Sequence, residues 1–88
     1  MVIVGTTIEE QTRQVFANIS TVLNGMGLGF ENIVKTTVFL KSMDDFKGMN
    51  GVYAEIFDGH KPARSAIAVK QNPLDALVEI ECIAEVKN

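Results

Sequence analysis

The sequence predicts an α+β domain whose elements follow the order helix, strand, helix, strand, strand. Two segments carry apolar residues at helical spacing, one that begins near Thr7 and one that follows Ser42. Three other segments, Ile33–Leu40, Ala63–Val69 and Ala76–Val86, are rich in β-branched and apolar residues. Turn-forming Gly, Pro and Asn residues separate these segments. This alternation of helical and extended patterns indicates helices packed on a sheet.

The first helix is expected to begin at Thr7, because Thr7 and Glu10 have the spacing of a capping box. Glycines at positions 25, 27 and 29 are expected to end the helix, since glycine readily adopts the left-handed conformation that follows a helix. The predicted core-facing stripe consists of Ile8, Val15, Ile19, Val22 and Met26.

The strand Ile33–Leu40 has apolar residues on both of its faces. Because side chains alternate along a strand, Val34, Val38 and Leu40 are expected to share one face with Thr36. The other face would then carry Ile33, Lys35, Thr37 and Phe39. We therefore expect both faces to be partly covered.

The second helix is predicted to follow Ser42, with Asp45 three residues later. Its expected core stripe is Phe46, Met49, Tyr53, Ile56 and Phe57. Tyr53 is interpreted as a core aromatic with its hydroxyl at the rim. Gly51 interrupts the helix at a cost of about 1 kcal/mol relative to alanine. Close packing, or the approach of another chain, is the expected compensation.

The last two strands flank a turn at residues 71–75 and carry charge among apolar residues. Arg64 lies near the start of the first of them, and Glu79 and Glu81 lie within the second. By composition alone, these charges could simply face water on a surface hairpin. However, one face of the last strand mixes glutamates with apolar residues, which is typical of a subunit interface with polar groups. That mixed face comprises Leu77, Glu79, Glu81, Ile83 and Glu85.

Length, composition and charge argue against several classes of protein. The 88 residues indicate a single domain spanning 1–88, with no transmembrane helix and no signal peptide. Cys82 is the only cysteine and His60 the only histidine, so we expect no disulfide and no metal site. No cofactor is expected either. The net charge of −3 and the dispersed basic residues argue against nucleic-acid binding. A cytoplasmic location is the default expectation.

The amino-acid sequences of several segments resemble those of one known family. The run Pro62-Ala63-Arg64-Ser65, the turn that contains Pro73, and the run from Val78 to Ala84 resemble the signature of the RidA/YjgF family of reactive intermediate deaminases, also called L-PSP ribonucleases. The runs Ile8–Val15, Val34–Leu40, Asn50–Tyr53 and Ile56–Phe57 are similar to the family's first helix, central strand and second helix. The resemblance therefore covers nearly the whole chain.

This resemblance implies a chorismate-mutase-like fold, a mixed sheet with two helices on one face, and homotrimers with sites in clefts between subunits. It also implies hydrolysis of 2-imino and enamino acids, such as 2-aminoacrylate and 2-iminobutanoate, to 2-oxo acids and ammonia. Arg64 would bind the substrate carboxylate, and Glu79 would activate water. Asn50 and Ser65 would line the substrate site, whereas Glu81 is interpreted as structural.

Three departures from the family pattern bear on this interpretation. Family members are longer at the N-terminus, where a β-hairpin supplies a Tyr and a Ser of the site. Ala66 stands where the family often has Cys, and the loop before Pro62 is shorter than usual. The alternatives are a non-enzymatic module that binds small carboxylates or acts as a stress-protective oligomer, and an RNA-cleaving protein. Acidic charge argues against the last alternative.

Overall fold

The computed structural model describes residues 5–86, in which the helices and strands follow the predicted order. The helices are α1 (Ile8–Gly25) and α2 (Phe46–Phe57). The strands are β1 (Ile33–Leu40), β2 (Ala63–Ala68) and β3 (Val78–Ala84). Short 3₁₀ turns lie at Phe30–Asn32, Met43–Asp45 and Pro73–Asp75. Within residues 5–86, neither helix has the length and apolar character that a membrane span requires.

The described strands form one mixed sheet in the order β2–β1–β3. β1 is parallel to β2 and antiparallel to β3. Both helices pack on one face, called here the helix face, where Thr36, Val38 and Leu40 are completely buried. The opposite face, called here the outer face, carries the alternate residues of β1 and their partners in register. These are Lys35, Thr37, Phe39, Ala63, Ser65, Ile67, Glu79, Glu81 and Ile83.

Aromatic rings fill the core between the helices and the sheet. Phe16 of α1 is 1% exposed, and its ring meets Phe30, Tyr53 and Phe57 edge-on, at centroid distances of 5.9, 5.8 and 5.5 Å. Edge-to-face contacts of this kind add to the free energy gained by burial alone. The core thereby ties α1 to α2 and fixes α2 against the sheet.

The N-terminal cap of α1 is as predicted. The Thr7 hydroxyl accepts a hydrogen bond from the Glu10 amide at 3.1 Å. In return, the Glu10 carboxylate accepts one from the Thr7 amide at 3.2 Å. The bonds that this carboxylate accepts from the amides of Thr7 and Thr6 hold the pKa of Glu10 below its ordinary value, because they stabilise the ionised form.

The predicted stripe of α1 is wrong at its C-terminal end. Val22 is 64% exposed and Met26 is 60% exposed, whereas Phe16 and Leu23 are buried. The buried line runs through Ile8, Thr12 and Phe16 at i, i+4 spacing, so it is rotated from the predicted stripe. Thr12 is tolerated there because its hydroxyl donates to the Ile8 carbonyl at 2.7 Å.

The expected alternation of buried and exposed side chains fails at the first two residues of β1. Ile33 is completely buried and Val34 is 44% exposed, which reverses the predicted faces of these two residues. The pairing of β1 with β3 is irregular between Ile33 and Lys35. An irregularity of this kind rotates the residues before it relative to the rest of the strand.

The last strand is shorter than predicted, and its mixed face is smaller. Leu77 precedes β3 and is half-buried against the core cluster, so it does not belong to the outer face. Val86, the predicted end of the strand, follows β3 and is exposed. Ile83 does lie on the outer face, in register with Lys35 of β1.

β3 lies at one edge of the sheet, and within residues 5–86 it pairs with β1 alone. Because an open strand edge recruits a partner, Val2-Ile3-Val4 or a strand of a neighbouring subunit is predicted to cover this edge. Residues 2–4 lie outside the described part of the chain.

Candidate functional site

Arg64 projects from the helix face of β2. Its register partner on β1 is Thr36, which is completely buried beneath the helices. Residues in register on neighbouring strands point to the same side of a sheet. The guanidinium group of Arg64 accordingly lies over two rings of α2, with centroid distances of 4.8 Å to Tyr53 and 5.3 Å to Phe46.

Helix α2 holds this guanidinium group through three residues on one face. Phe46, Asn50 and Tyr53 have the i, i+4, i+7 spacing of helical neighbours. The two rings attract the cation through their π faces. Asn50 Oδ1 accepts a hydrogen bond from Arg64 Nη1. The structure therefore brings together two of the four predicted site residues, Arg64 and Asn50.

Tyr53 is itself held in place by a hydrogen bond to the sheet. Its hydroxyl is hydrogen-bonded to the Thr36 hydroxyl at 2.8 Å, and both side chains are buried. The expectation that this hydroxyl lies at the rim is wrong, because Thr36 offers it a partner inside the core. Phe46, Asn50 and Tyr53 together are called here the Arg64 cradle. Their helical spacing is visible in the sequence, but for Phe46 and Tyr53 it indicated only a core stripe.

A cavity of about 410 Å³ opens beside Arg64. Helix α2, the loop that follows it and the start of β2 form its walls. The lining residues are Asn50, Tyr53, Ala54, Phe57, Gly59, His60, Lys61, Pro62 and Arg64. This volume falls within the range of sites that bind small molecules.

Ser65 and Glu79 lie on the other side of the sheet. Ser65 is in register with Thr37, and Glu79 is in register with Phe39, so both project from the outer face. Glu79 is also two strands away from Arg64, because β1 separates β2 from β3. One copy of the chain therefore does not bring Glu79 into the cavity beside Arg64.

The charge on Arg64 has no carboxylate partner among residues 5–86. The ion pairs found there join Arg13 to Glu55 at 2.8 Å and Lys41 to Asp75 at 3.0 Å. Asn50 and the two rings orient the guanidinium group but do not neutralise it. An arginine that is positioned in this way retains donors for an anion.

Cys82 contributes to the core rather than to this cavity. It is half-buried on the helix face of β3, in register with Thr36. Burial raises the pKa of its thiol, because it disfavours the thiolate. In the described part of the chain, no three His, Cys, Asp or Glu side chains are grouped so that they could hold a metal ion.

The chain is similar to known proteins along its length. The family model described as Endoribonuclease L-PSP matches residues 1–86. A RutC family protein of Synechocystis is 50% identical over 78 residues, which are 88% of this chain and 60% of that protein. Reactive Intermediate Deaminase A of Arabidopsis thaliana, a chloroplastic protein, is 43% identical over 81 residues. These cover 92% of this chain and 43% of the Arabidopsis protein.

The fold is likewise shared. The crystal structure of E. coli TdcF with bound serine superposes with a TM-score of 0.91 and 33% identity, covering 96% of this chain and 68% of that one. This likeness confirms the predicted chorismate-mutase-like fold. The chain thus spans only part of the length of these relatives. On sequence and structure together, the chain belongs to the Endoribonuclease L-PSP family, that of the RidA/YjgF proteins.

Proposed function

We propose that the chain acts in the hydrolytic deamination of reactive 2-imino and enamino acids to 2-oxo acids and ammonia. The observation that carries this proposal is the Arg64 guanidinium group, which is oriented by Asn50 and two rings beside a cavity and has no carboxylate partner among residues 5–86. Two relatives add support. One is named a reactive intermediate deaminase, and the other was solved with bound serine, an amino acid.

Arg64 would bind the substrate carboxylate through two parallel N–H···O bonds, since a guanidinium group matches a carboxylate in this geometry. Asn50 fixes the direction of the guanidinium group. An enamine such as 2-aminoacrylate first gains a proton from solvent at C3 and becomes an iminium ion. Binding by Arg64 then presents the C=N carbon to water.

Glu79 would act as the general base. Its carboxylate takes a proton from water as the oxygen bonds to the iminium carbon, and the resulting carbinolamine holds both OH and NH₂ on that carbon. Transfer of this proton from Glu79 to nitrogen allows the C–N bond to break and releases ammonia, and loss of the hydroxyl proton leaves the 2-oxo acid. Ser65 would line the same site from the outer face.

Since Arg64 and Glu79 project from opposite faces, this chemistry requires a second copy of the chain. The outer face provides a contact surface, because Ile67, in register with Phe39, is 48% exposed and Ile83, in register with Lys35, is 59% exposed. Apolar residues on an open sheet face are typical of an interface. We propose a homotrimer in which Glu79 of one subunit reaches the Arg64 cavity of its neighbour.

The alternative function is non-enzymatic binding of small carboxylates. One observation favours it: the Arg64–Asn50 cradle is contained within one copy, whereas Glu79 is not. Binding would then require one copy of the chain, whereas catalysis would require two.

The test compares turnover with binding in the same set of variants. Turnover is the release of 2-oxo acid from freshly generated 2-iminobutanoate, above the rate in buffer, and binding is titration with 2-oxobutanoate. We expect Arg64→Ala to abolish both. Glu79→Gln should retain binding and lose turnover. Glu81→Gln removes the same charge two residues along the outer face and serves as the control.

Each outcome selects between the functions. Binding without turnover in the unmodified chain supports the carboxylate-binding alternative. If Arg64→Ala binds 2-oxobutanoate as well as the unmodified chain does, the proposed site is wrong. RNA cleavage, measured in parallel, tests the activity that the family description names.

A further inference from the structure

The loop between α2 and β2 adds a second cation to the cavity beside Arg64. Lys61 lines this cavity together with Arg64, and no Asp or Glu occurs among the lining residues. Resting on the proposed function, we propose that Lys61 determines specificity: it selects 2-oxo and 2-imino acids that carry a second carboxylate over monocarboxylic ones of the same length.

The backbone of this loop reverses direction immediately after α2. Asp58 and Gly59 both have left-handed conformations, with φ of +45° and +92°. The Asp58 amide donates to the Ala54 carbonyl at 3.0 Å, and the His60 amide donates to the Phe57 carbonyl at 3.0 Å. These bonds close the last turn of the helix and direct the loop over the cavity.

His60 anchors the loop to the sheet. Its Nε2 lies 2.7 Å from the carbonyl oxygen of Ile33, at the start of β1. A carbonyl oxygen can only accept, so Nε2 carries the hydrogen. The imidazole ring also packs against Phe57, at a centroid distance of 6.0 Å. Lys61 follows this anchor and precedes Pro62, whose ring fixes φ, so its backbone position is held from both sides.

The charges that one copy of the chain contributes to the cavity favour a dianion. Asn50 is a neutral partner for Arg64, and the ion pairs found among residues 5–86 involve neither Arg64 nor Lys61. Two cations on one small cavity repel each other, and a ligand with two carboxylates relieves this repulsion. The cavity of about 410 Å³ has room for a five-carbon dicarboxylate.

The experiment compares two ligands that differ only at the far end of the chain. 2-Oxoglutarate has a terminal carboxylate where 2-oxopentanoate has a methyl group, and both offer the same 2-oxo acid group to Arg64. Dissociation constants are measured by calorimetry for the unmodified chain and for Lys61→Met, Lys61→Glu and Lys70→Met. Lys70→Met removes the same charge from an exposed residue that does not line the cavity.

We expect the unmodified chain and Lys70→Met to prefer 2-oxoglutarate by about fivefold, the scale of an exposed ion pair. Lys61→Met should bring the ratio of the two affinities close to one, and Lys61→Glu should invert it. Because Lys61 is exposed, these variants are expected to fold, and circular dichroism verifies this. A preference that survives Lys61→Met, or binding of both ligands with equal affinity by the unmodified chain, overturns the role of Lys61 alone. If the unmodified chain binds neither ligand, the Arg64 site itself is wrong, and the proposed function fails with it.

Discussion

Arg64 and Glu79 project from opposite faces of one sheet, with the central strand β1 between them. Thr36, the register partner of Arg64, is buried under the helices, whereas Phe39, the register partner of Glu79, lies on the outer face. No side-chain rotation within one copy removes this separation, because the backbone of the sheet lies between the two groups. An enzyme that uses both residues must therefore draw them from different subunits.

This separation predicts complementation between two inactive variants. Arg64→Ala and Glu79→Gln should each lack turnover alone. When they are co-expressed and assemble at random into closed trimers, about a quarter of the sites pair an intact Arg64 with an intact Glu79 of the neighbour. We therefore expect roughly one quarter of the unmodified turnover from the mixture, measured as 2-oxo acid release.

The control is a mixture in which both substitutions are on the same chain, co-expressed with Arg64→Ala. This mixture contains no intact Arg64 and should remain inactive. An inactive mixture of the two single variants, despite demonstrated mixed assembly, would contradict a site shared between copies.

A second prediction concerns the outer face. Ile83→Lys places a charge in the proposed apolar contact, so the oligomer should dissociate and stability should fall with it. Sedimentation velocity over the micromolar range measures the change. Met43→Lys alters a residue of similar exposure, 48%, outside the sheet and should leave the assembly unchanged. Sedimentation of the unmodified chain as a monomer throughout this range would exclude the interface.

The sequence predicts structure correctly where that structure depends on residues close together along the chain. The capping box at Thr7 and Glu10 is such a case, since its partners lie within one helical turn. Sequence could not identify contacts that join distant elements. Asn72, for example, was assigned only to a turn, yet its side chain is buried and donates to the carbonyls of Phe39 and Ala76, at 3.0 and 3.2 Å. The aromatic cradle of Arg64 likewise depends on how α2 packs over β2.

Gly48 and Gly51 of α2 predict opposite effects of the same substitution. A Cβ at Gly48 would lie 2.7 Å from Ile8 Cγ2 and 2.8 Å from a Glu9 carboxylate oxygen, where α1 meets α2. At Gly51 nothing lies within 4 Å of that position. Close packing within this chain, one expected compensation for Gly51, is therefore absent from the described residues, and Gly48 has this role instead.

We expect Gly51→Ala to raise the free energy of unfolding by roughly 0.5–1 kcal/mol, since alanine favours the helix. Gly48→Ala should lower it by up to about 2 kcal/mol, because overpacking against buried Ile8 outweighs the gain in helix propensity. Urea denaturation of both variants measures the difference. Equal changes in the two variants would contradict the packing of α1 on α2.

The hydrogen bond between Tyr53 and Thr36 predicts that loss of the Tyr53 hydroxyl lowers the stability of the chain without changing its affinity for ligand. Tyr53→Phe removes the hydroxyl and leaves the buried Thr36 hydroxyl without this partner, which should destabilise the chain by about 1–3 kcal/mol. The ring that lies under Arg64 remains, so affinity for 2-oxobutanoate should stay close to that of the unmodified chain. Tyr53→Leu also removes the ring and should weaken binding, because Arg64 loses its cation–π support.

A double-mutant cycle isolates the hydrogen bond itself. Thr36→Val combined with Tyr53→Phe replaces both polar groups with apolar ones of similar shape, so no hydroxyl remains unpaired in the core. The loss in the double variant should then be smaller than the sum of the two single losses. Additive losses in urea denaturation would show that the two hydroxyls do not depend on each other. The bond would then not be what holds Tyr53, and with it Arg64, in position.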